Sequence, residues 1–194
     1  MIDAGEAASA KLTARSRLIE NAEVMDVPHV EGALFETRRP IPDDAPSLAA
    51  LWSEMQAHYG QPVDVATAAE AAAFACRAAA PSGFDPRILV AVTQCGTVLG
   101  AVALNATFPA ARLTRSLYIR DLYVSTAARR RGVARSLLRA AAALTIAEGF
   151  SALDWTADAR NAGARQLYDQ MGSAQLARVY FRLAGPDLLA AAQG

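Results

Sequence analysis

The segment from residue 117 to residue 148 constrains this chain most, because it joins a strand to a helix through a loop of three consecutive arginines and one glycine. Residues 117–124, Leu117-Tyr118-Ile119-Arg120-Asp121-Leu122-Tyr123-Val124, read as a strand. Residues 133–148 set Ala134, Leu137, Leu138, Ala141 and Leu144 on one stripe, the spacing of an amphipathic helix that Gly149 ends. The first N–H groups of such a helix have no intrahelical partner, and the positive dipole end adds to their pull on an anion. A diphosphate suits that position. Gly132 lets the backbone approach a phosphate with no Cβ in the way, and small Ala134 serves the same end. Arg129, Arg130, Arg131 and Arg135 add charge. The plain alternative is a solvated arginine loop; its place between a strand and the strongest helix argues for binding. With one glycine and no lysine, the turn matches neither the dinucleotide fingerprint nor the Walker loop.

The rest of the chain supplies the frame. Residues 33–39 predict a strand that Pro40 and Pro42 stop, and Asp43 and Asp44 then offer side-chain acceptors at a helix start. Leu48, Leu51, Trp52 and Met55 carry that helix toward Gly60. Thr67 and Glu70 form a capping-box pair ahead of a second helix running to residue 80. Residues 88–92 and 98–104 flank Gln94-Cys95-Gly96 as a hairpin. Beyond residue 149 come a strand at 152–156, a helix at 162–171 stopped by Gly172, and a final strand at 178–183. This order implies an α/β (α+β) class with a mixed, largely antiparallel central sheet and helices on both faces, because a parallel Rossmann sheet needs a helix between most strands. Residues 1–33 show no clean periodicity and are read as an N-terminal extension to one domain at 34–194.

Composition narrows the partners. Hydrophobic residues at 53% and charged residues at 20% supply a core and exclude general disorder. Nineteen basic residues, with Lys11 the one lysine, balance nineteen acidic ones, so no global field draws nucleic acid or a membrane surface. Cys76 and Cys95 lack metal-ligand spacing and are read as buried thiols in a reducing cytosol, with no metal expected. The first ten residues lack the bases of a signal peptide, and no apolar run approaches the ~20 residues of a membrane span. The expected location is cytoplasmic.

Arg129-Arg130-Arg131-Gly132-Val133-Ala134 resembles the [RQ]-x-x-G-x-[GA] acetyl-CoA loop of the GNAT superfamily, and Asn161-x-x-Ala164-x-x-Leu167-Tyr168-x-x-x-Gly172 resembles its N-x-x-A-x-x-[LF]-Y-x-x-x-G-F segment. The resemblance covers roughly residues 34–183. It implies acetyl-CoA as co-substrate and transfer to an amine, and it allows a homodimer. Main-chain groups of Leu122, Tyr123 and Val124 would pair with the pantetheine arm in a gap where two parallel strands splay, and the loop through Val133, Ala134 and Arg135 would hold the pyrophosphate. Asn161, with Ala164 beside it, would bind the cofactor's amide arm, and Tyr168 would stand beside the sulfur. Ser173 departs from the pattern's Phe, removing a ring from beneath the helix. The runs at 118–124 and 178–183 are similar to the spermidine/spermine N-acetyltransferase branch, but Arg120 would repel a polycation, so polyamines are not the expected acceptor.

An amine attacks only as the free base, and alkyl amines have pKa values near ~10, so a proton must leave. Asp121 is the candidate base, against the readings that it pairs with an arginine or that the amine arrives neutral. Tyr168 is the candidate acid to the departing thiolate, against a core aromatic on the stripe with Ala164 and Leu167. His58 and Tyr59 fall at a helix end on the acceptor side, where a histidine also serves as a dipole partner. Trp155 and Thr156 end a strand and would wall the acceptor pocket, where a tryptophan is also ordinary core. The rival from another class is an idle acetyl-CoA-binding sensor or assembly module, which needs the phosphate turn and no acid.

Overall fold

The computed structural model of the chain describes residues 34–77 and 81–193. The expected extension at 1–33 and the expected helix end at 78–80 lie outside the described residues. The fold divides into two compact units, one through Thr156 and one from Ala157 onward.

The first unit is a five-stranded sheet in the order β1 (Phe35–Arg38), β2 (Arg87–Thr93), β3 (Val98–Thr107), β4 (Ser116–Val124), β5 (Leu153–Trp155). Its first three pairings are antiparallel and β4 with β5 is parallel, as the strand order implied. Helices α1 (Ala45–His58) and α2 (Val65–Ala75) cover one face. There Leu48, Leu51 and Met55 of α1 pack with Ala72, Val90, Val92, Ala101 and Tyr123. Helix α3 (Val133–Ala147) covers the other face and buries Leu137, Leu138, Ala141 and Leu144 of the expected stripe, together with Val133 and Ala140, while Ala134 is only half-buried. Each fully buried Leu or Val contributes roughly 1.5–3 kcal/mol, so these two layers hold the sheet.

Two helix starts differ from expectation. Asp44 does not cap α1 through its side chain. Its buried carboxylate instead accepts from Arg38 Nη1 at 2.6 Å, Arg38 Nη2 at 3.0 Å and the Ile41 N–H at 2.7 Å. A bidentate charged partner outcompetes a capping bond. Helix α2 starts earlier than the Thr67–Glu70 pair suggested, because Asp64 is its cap and accepts from the Thr67 N–H at 2.8 Å. Cys76 is buried, but Cys95 is exposed, since it occupies the tip of the β2–β3 turn that Thr93 and Thr97 clasp.

The second unit holds α4 (Ala162–Gln170) and α5 (Pro186–Gln193), the latter not anticipated. The strand expected at 178–183 is absent: residues 173–184 have no regular structure, and Val179, Tyr180 and Phe181 are exposed. A run rich in β-branched and aromatic residues becomes a strand only on a partner edge, and the described residues of this unit contain no other strand.

Candidate active site

The site is built around an irregularity in β4. Its register on β3 pairs Ile119 with Leu104 but Asp121 with Ala103, which makes Arg120 an extra, bulged residue. Paired residues share a face, and adjacent Ala103 and Leu104 point to opposite faces. Leu117 and Ile119 therefore lie toward α3, while Asp121 and Tyr123 lie toward α1. The pairing of β4 with β5 stops at the same place, with Ile119 opposite Trp155. From Arg120 onward β4 has no partner on that side among the described residues, so the two parallel strands part.

The open edge has a defined polarity. The Ser125 N–H donates to the Leu99 carbonyl at 2.9 Å, and hydrogen-bonded rungs alternate along an antiparallel pair, so Tyr123 turns its main-chain groups to β3. Leu122 and Val124 turn theirs away from β3, toward the gap. Past Val124 the chain makes a single 3-10 turn at Thr126–Ala128, bends through Arg129 to Arg131 and enters α3 at Gly132, whose φ of 81° is left-handed and whose cap offers no side chain. Arg130, at φ 64°, is left-handed too, so two such residues almost adjacent bend the loop over the helix start. The first bond at this helix start runs from the Ser136 N–H to the Gly132 carbonyl at 3.0 Å. Among the described residues none closes on the N–H groups of Val133 or Ala134. Arg130 and Arg131 stay exposed beside them, and Ala134 and Arg135 are half-buried. An open strand edge leading to uncapped N–H groups and guanidinium charge suits an extended amide chain that ends in a diphosphate, so the residues present fit acetyl-CoA.

On the α1 side a different environment forms. The rings of His58, Tyr59 and Tyr123 gather with centroids 5.5–6.5 Å apart. Arg129 lays its guanidinium over the Tyr123 ring, 5.8 Å from the centroid, and its Nε reaches the Val124 carbonyl at 3.4 Å. Asp121 is half-buried on the same face; burial raises its pKa, and the charge of Arg120 only partly offsets this. Burial raises the pKa of the Tyr59 phenol as well, with the nearby Asp121 charge adding to the effect. Thr156 hydrogen-bonds the Tyr118 hydroxyl at 2.8 Å. Trp155 lies opposite Ile119 in the β4–β5 pair, a register position on the α3 face of the sheet.

Glu54 escaped the reading of the sequence. Its Oε1 accepts from the Tyr123 hydroxyl at 3.0 Å and from the Thr126 N–H at 2.8 Å, tying α1 to the turn after β4. The Thr126 N–H bond is the main reason its carboxyl sits below the ordinary range. Glu54 and His58 are four residues apart on one helix face, and that spacing was the available signal.

In the second unit Asn161 caps α4, its Oδ1 accepting from the Ala164 N–H at 3.1 Å. Tyr168 is half-buried in the last turn of α4. Ser173, where the motif has Phe, donates its hydroxyl to the Tyr168 carbonyl at 2.9 Å and so closes the helix end with a hydrogen bond in place of a ring. Among the described residues no cluster of three His, Cys, Asp or Glu is placed to hold a metal ion, and no helix is long and apolar enough to cross a membrane.

A model of the Acetyltransferase (GNAT) family matches residues 49–172. No curated protein matches the chain. Among solved structures, an integron cassette protein from the mobile metagenome of V. cholerae superposes with a TM-score of 0.69 at 24% identity, covering 84% of this chain and 100% of that one. A ribosomal-protein-alanine N-acetyltransferase from Brucella melitensis biovar Abortus 2308 gives 0.61 at 20% identity, covering 78% and 99%. An aminoglycoside acetyltransferase from an uncultured soil metagenomic sample, solved with sisomicin, gives 0.58 at 17% identity, covering 78% and 97%. These likenesses establish a shared fold.

Proposed function

The chain belongs to the acetyltransferase (GNAT) family and is an N-acetyltransferase, and from that premise we propose that it moves the acetyl group of acetyl-CoA to a primary amine of a small molecule or peptide. The observation that carries this reading is the open edge of β4 running into the uncapped turn at Gly132. Acetyl-CoA supplies the activated acetyl group when bound. Main-chain groups of Leu122 and Val124 hold its amide arm, and the turn from Arg130 to Arg135 holds its diphosphate.

Asp121 receives the proton that the acceptor ammonium must lose. Its raised pKa makes it a stronger base than an exposed aspartate, which narrows the gap to an amine near ~10. The N–H of Leu122 or Val124 faces the gap and stands ready to steady the carbonyl oxygen as negative charge develops on it. Tyr168 hands its phenolic proton to the departing sulfur, a role supported by its place in the Asn161 to Gly172 segment. The cytoplasm and a homodimer complete the reading.

The test is release of CoA thiol against a panel of amines, aminoglycosides, amino acids and peptides. Tyr168→Phe should lower kcat by ~10²-fold or more with little change in the KM for acetyl-CoA. Equal turnover by the variant removes the acid role.

A further inference from the structure

The α1 side of β4 carries two opposite charges, Arg129 and Asp121, that form no ion pair among the described residues, the neighbouring Arg120 offsetting the burial of Asp121 only in part. Arg129 lies against the Tyr123 ring, and the chain gives its guanidinium only the Val124 carbonyl at 3.4 Å. Among the described residues no carboxylate pairs with it. Asp121 sits on the same face, two residues along the strand from Tyr123, and it too lacks an ion pair among the described residues. Glu54, which reaches the same Tyr123 side chain, is already committed to the Tyr123 hydroxyl and the Thr126 N–H. His58 and Tyr59 complete the wall, with Tyr59 half exposed to whatever enters. Both charges act on the Tyr59 phenol, in opposite directions, which places them around one ring cluster.

A simple amine would satisfy only one of these charges and would meet the other as repulsion. A guanidinium fork set on a ring is the geometry that recognises a carboxylate, and a half-buried carboxylate is the group that recognises an ammonium. We propose that the acceptor is a small amino carboxylate, its ammonium held at Asp121, its carboxylate at Arg129 and its body against Tyr59, His58 and Tyr123. This rests on the acetyltransferase reading of the same site and adds the substrate class. It also separates Arg129 from Arg130 and Arg131: its side chain faces the acceptor, and theirs flank the helix start.

The experiment compares phenylalanine with 2-phenylethylamine, which differ by the carboxylate alone, in CoA release and in calorimetric titration of the full chain without acetyl-CoA. The amino acid should be preferred by about tenfold or more in both measurements. Arg129→Gln should abolish that preference without raising the KM for acetyl-CoA, Arg129→Lys should retain part of it, and Asp121→Asn should weaken both ligands. Equal or better use of the decarboxylated amine overturns the proposal. So does an Arg129→Gln effect confined to acetyl-CoA, which would put that side chain on the diphosphate. If no amine releases CoA, the transferase reading fails by itself and titration alone decides this one: selective binding of the amino acid supports it, and absence of binding overturns it.

Discussion

Asp121 and Asp44 are both withdrawn from water, and their partners send them in opposite directions. Burial lifts Asp121, and the charge of the adjacent Arg120 only partly opposes it, so the acid limb of kcat/KM should lie above the ordinary carboxylate range near ~4. In Asp121→Asn that limb should vanish from the pH–rate profile along with most of the rate. Burial lifts Asp44 too, but hydrogen bonds from Arg38 and the Ile41 N–H more than reverse it, leaving the folded carboxyl below its ordinary value. A depressed folded pKa contributes stability that is complete above the unfolded value of ~3.9 and is lost as pH falls through the folded one. Asp44→Asn should therefore cost about 1–3 kcal/mol at neutral pH, and the deficit against wild type should shrink on acidification. Urea melts at pH 7 and pH 3 measure both.

The elements show where a strand-to-helix junction depends on a missing side chain. A Cβ on Gly100 would stand 2.9 Å from the Tyr123 carbonyl oxygen and 3.0 Å from Val133 Cγ1. Gly100→Ala must push β4 and the start of α3 away from β3, and overpacking of this kind costs typically ~1–3 kcal/mol. Because the displaced atoms open the diphosphate turn, CoA affinity should fall with stability; a urea melt paired with CoA titration checks this. Helices α1 and α3 were legible from a one-sided apolar pattern and a sharp stop, at Gly60 and Gly149, and β2 and β3 from near-continuous apolar runs on either side of a turn. The run at 178–183 is rich in aromatic and apolar residues and formed no strand, since residue type describes a surface and not the neighbour that would cover it. Caps were misread where a better partner existed, as Arg38 is for Asp44. The strand, arginine loop and helix start at Gly132 were legible from local sequence; Glu54 and the position of Arg129 were not, because both depend on α1 meeting the turn after β4.

For the molecule as a whole, nineteen positive and nineteen negative side chains cancel, so on the proposed reading attraction for CoA must come from the arginine turn and not from a distant field. Raising NaCl from about 50 to 500 mM should weaken CoA binding several-fold by screening that turn, and a heparin column at low salt should fail to retain the protein. Strong retention would show a basic face that the balance of charge does not. The single surplus residue in β4 has a wider effect than its size suggests. Had the strand run without interruption from Leu117, every odd-numbered position would have stayed under α3. The carboxylate and phenol of its second half would then lie in the α3 layer, and Leu122 and Val124 would take their place on the side of His58 and Tyr59. One uncounted residue inverts the strand midway, so the same ribbon supplies packing at one end and chemistry at the other.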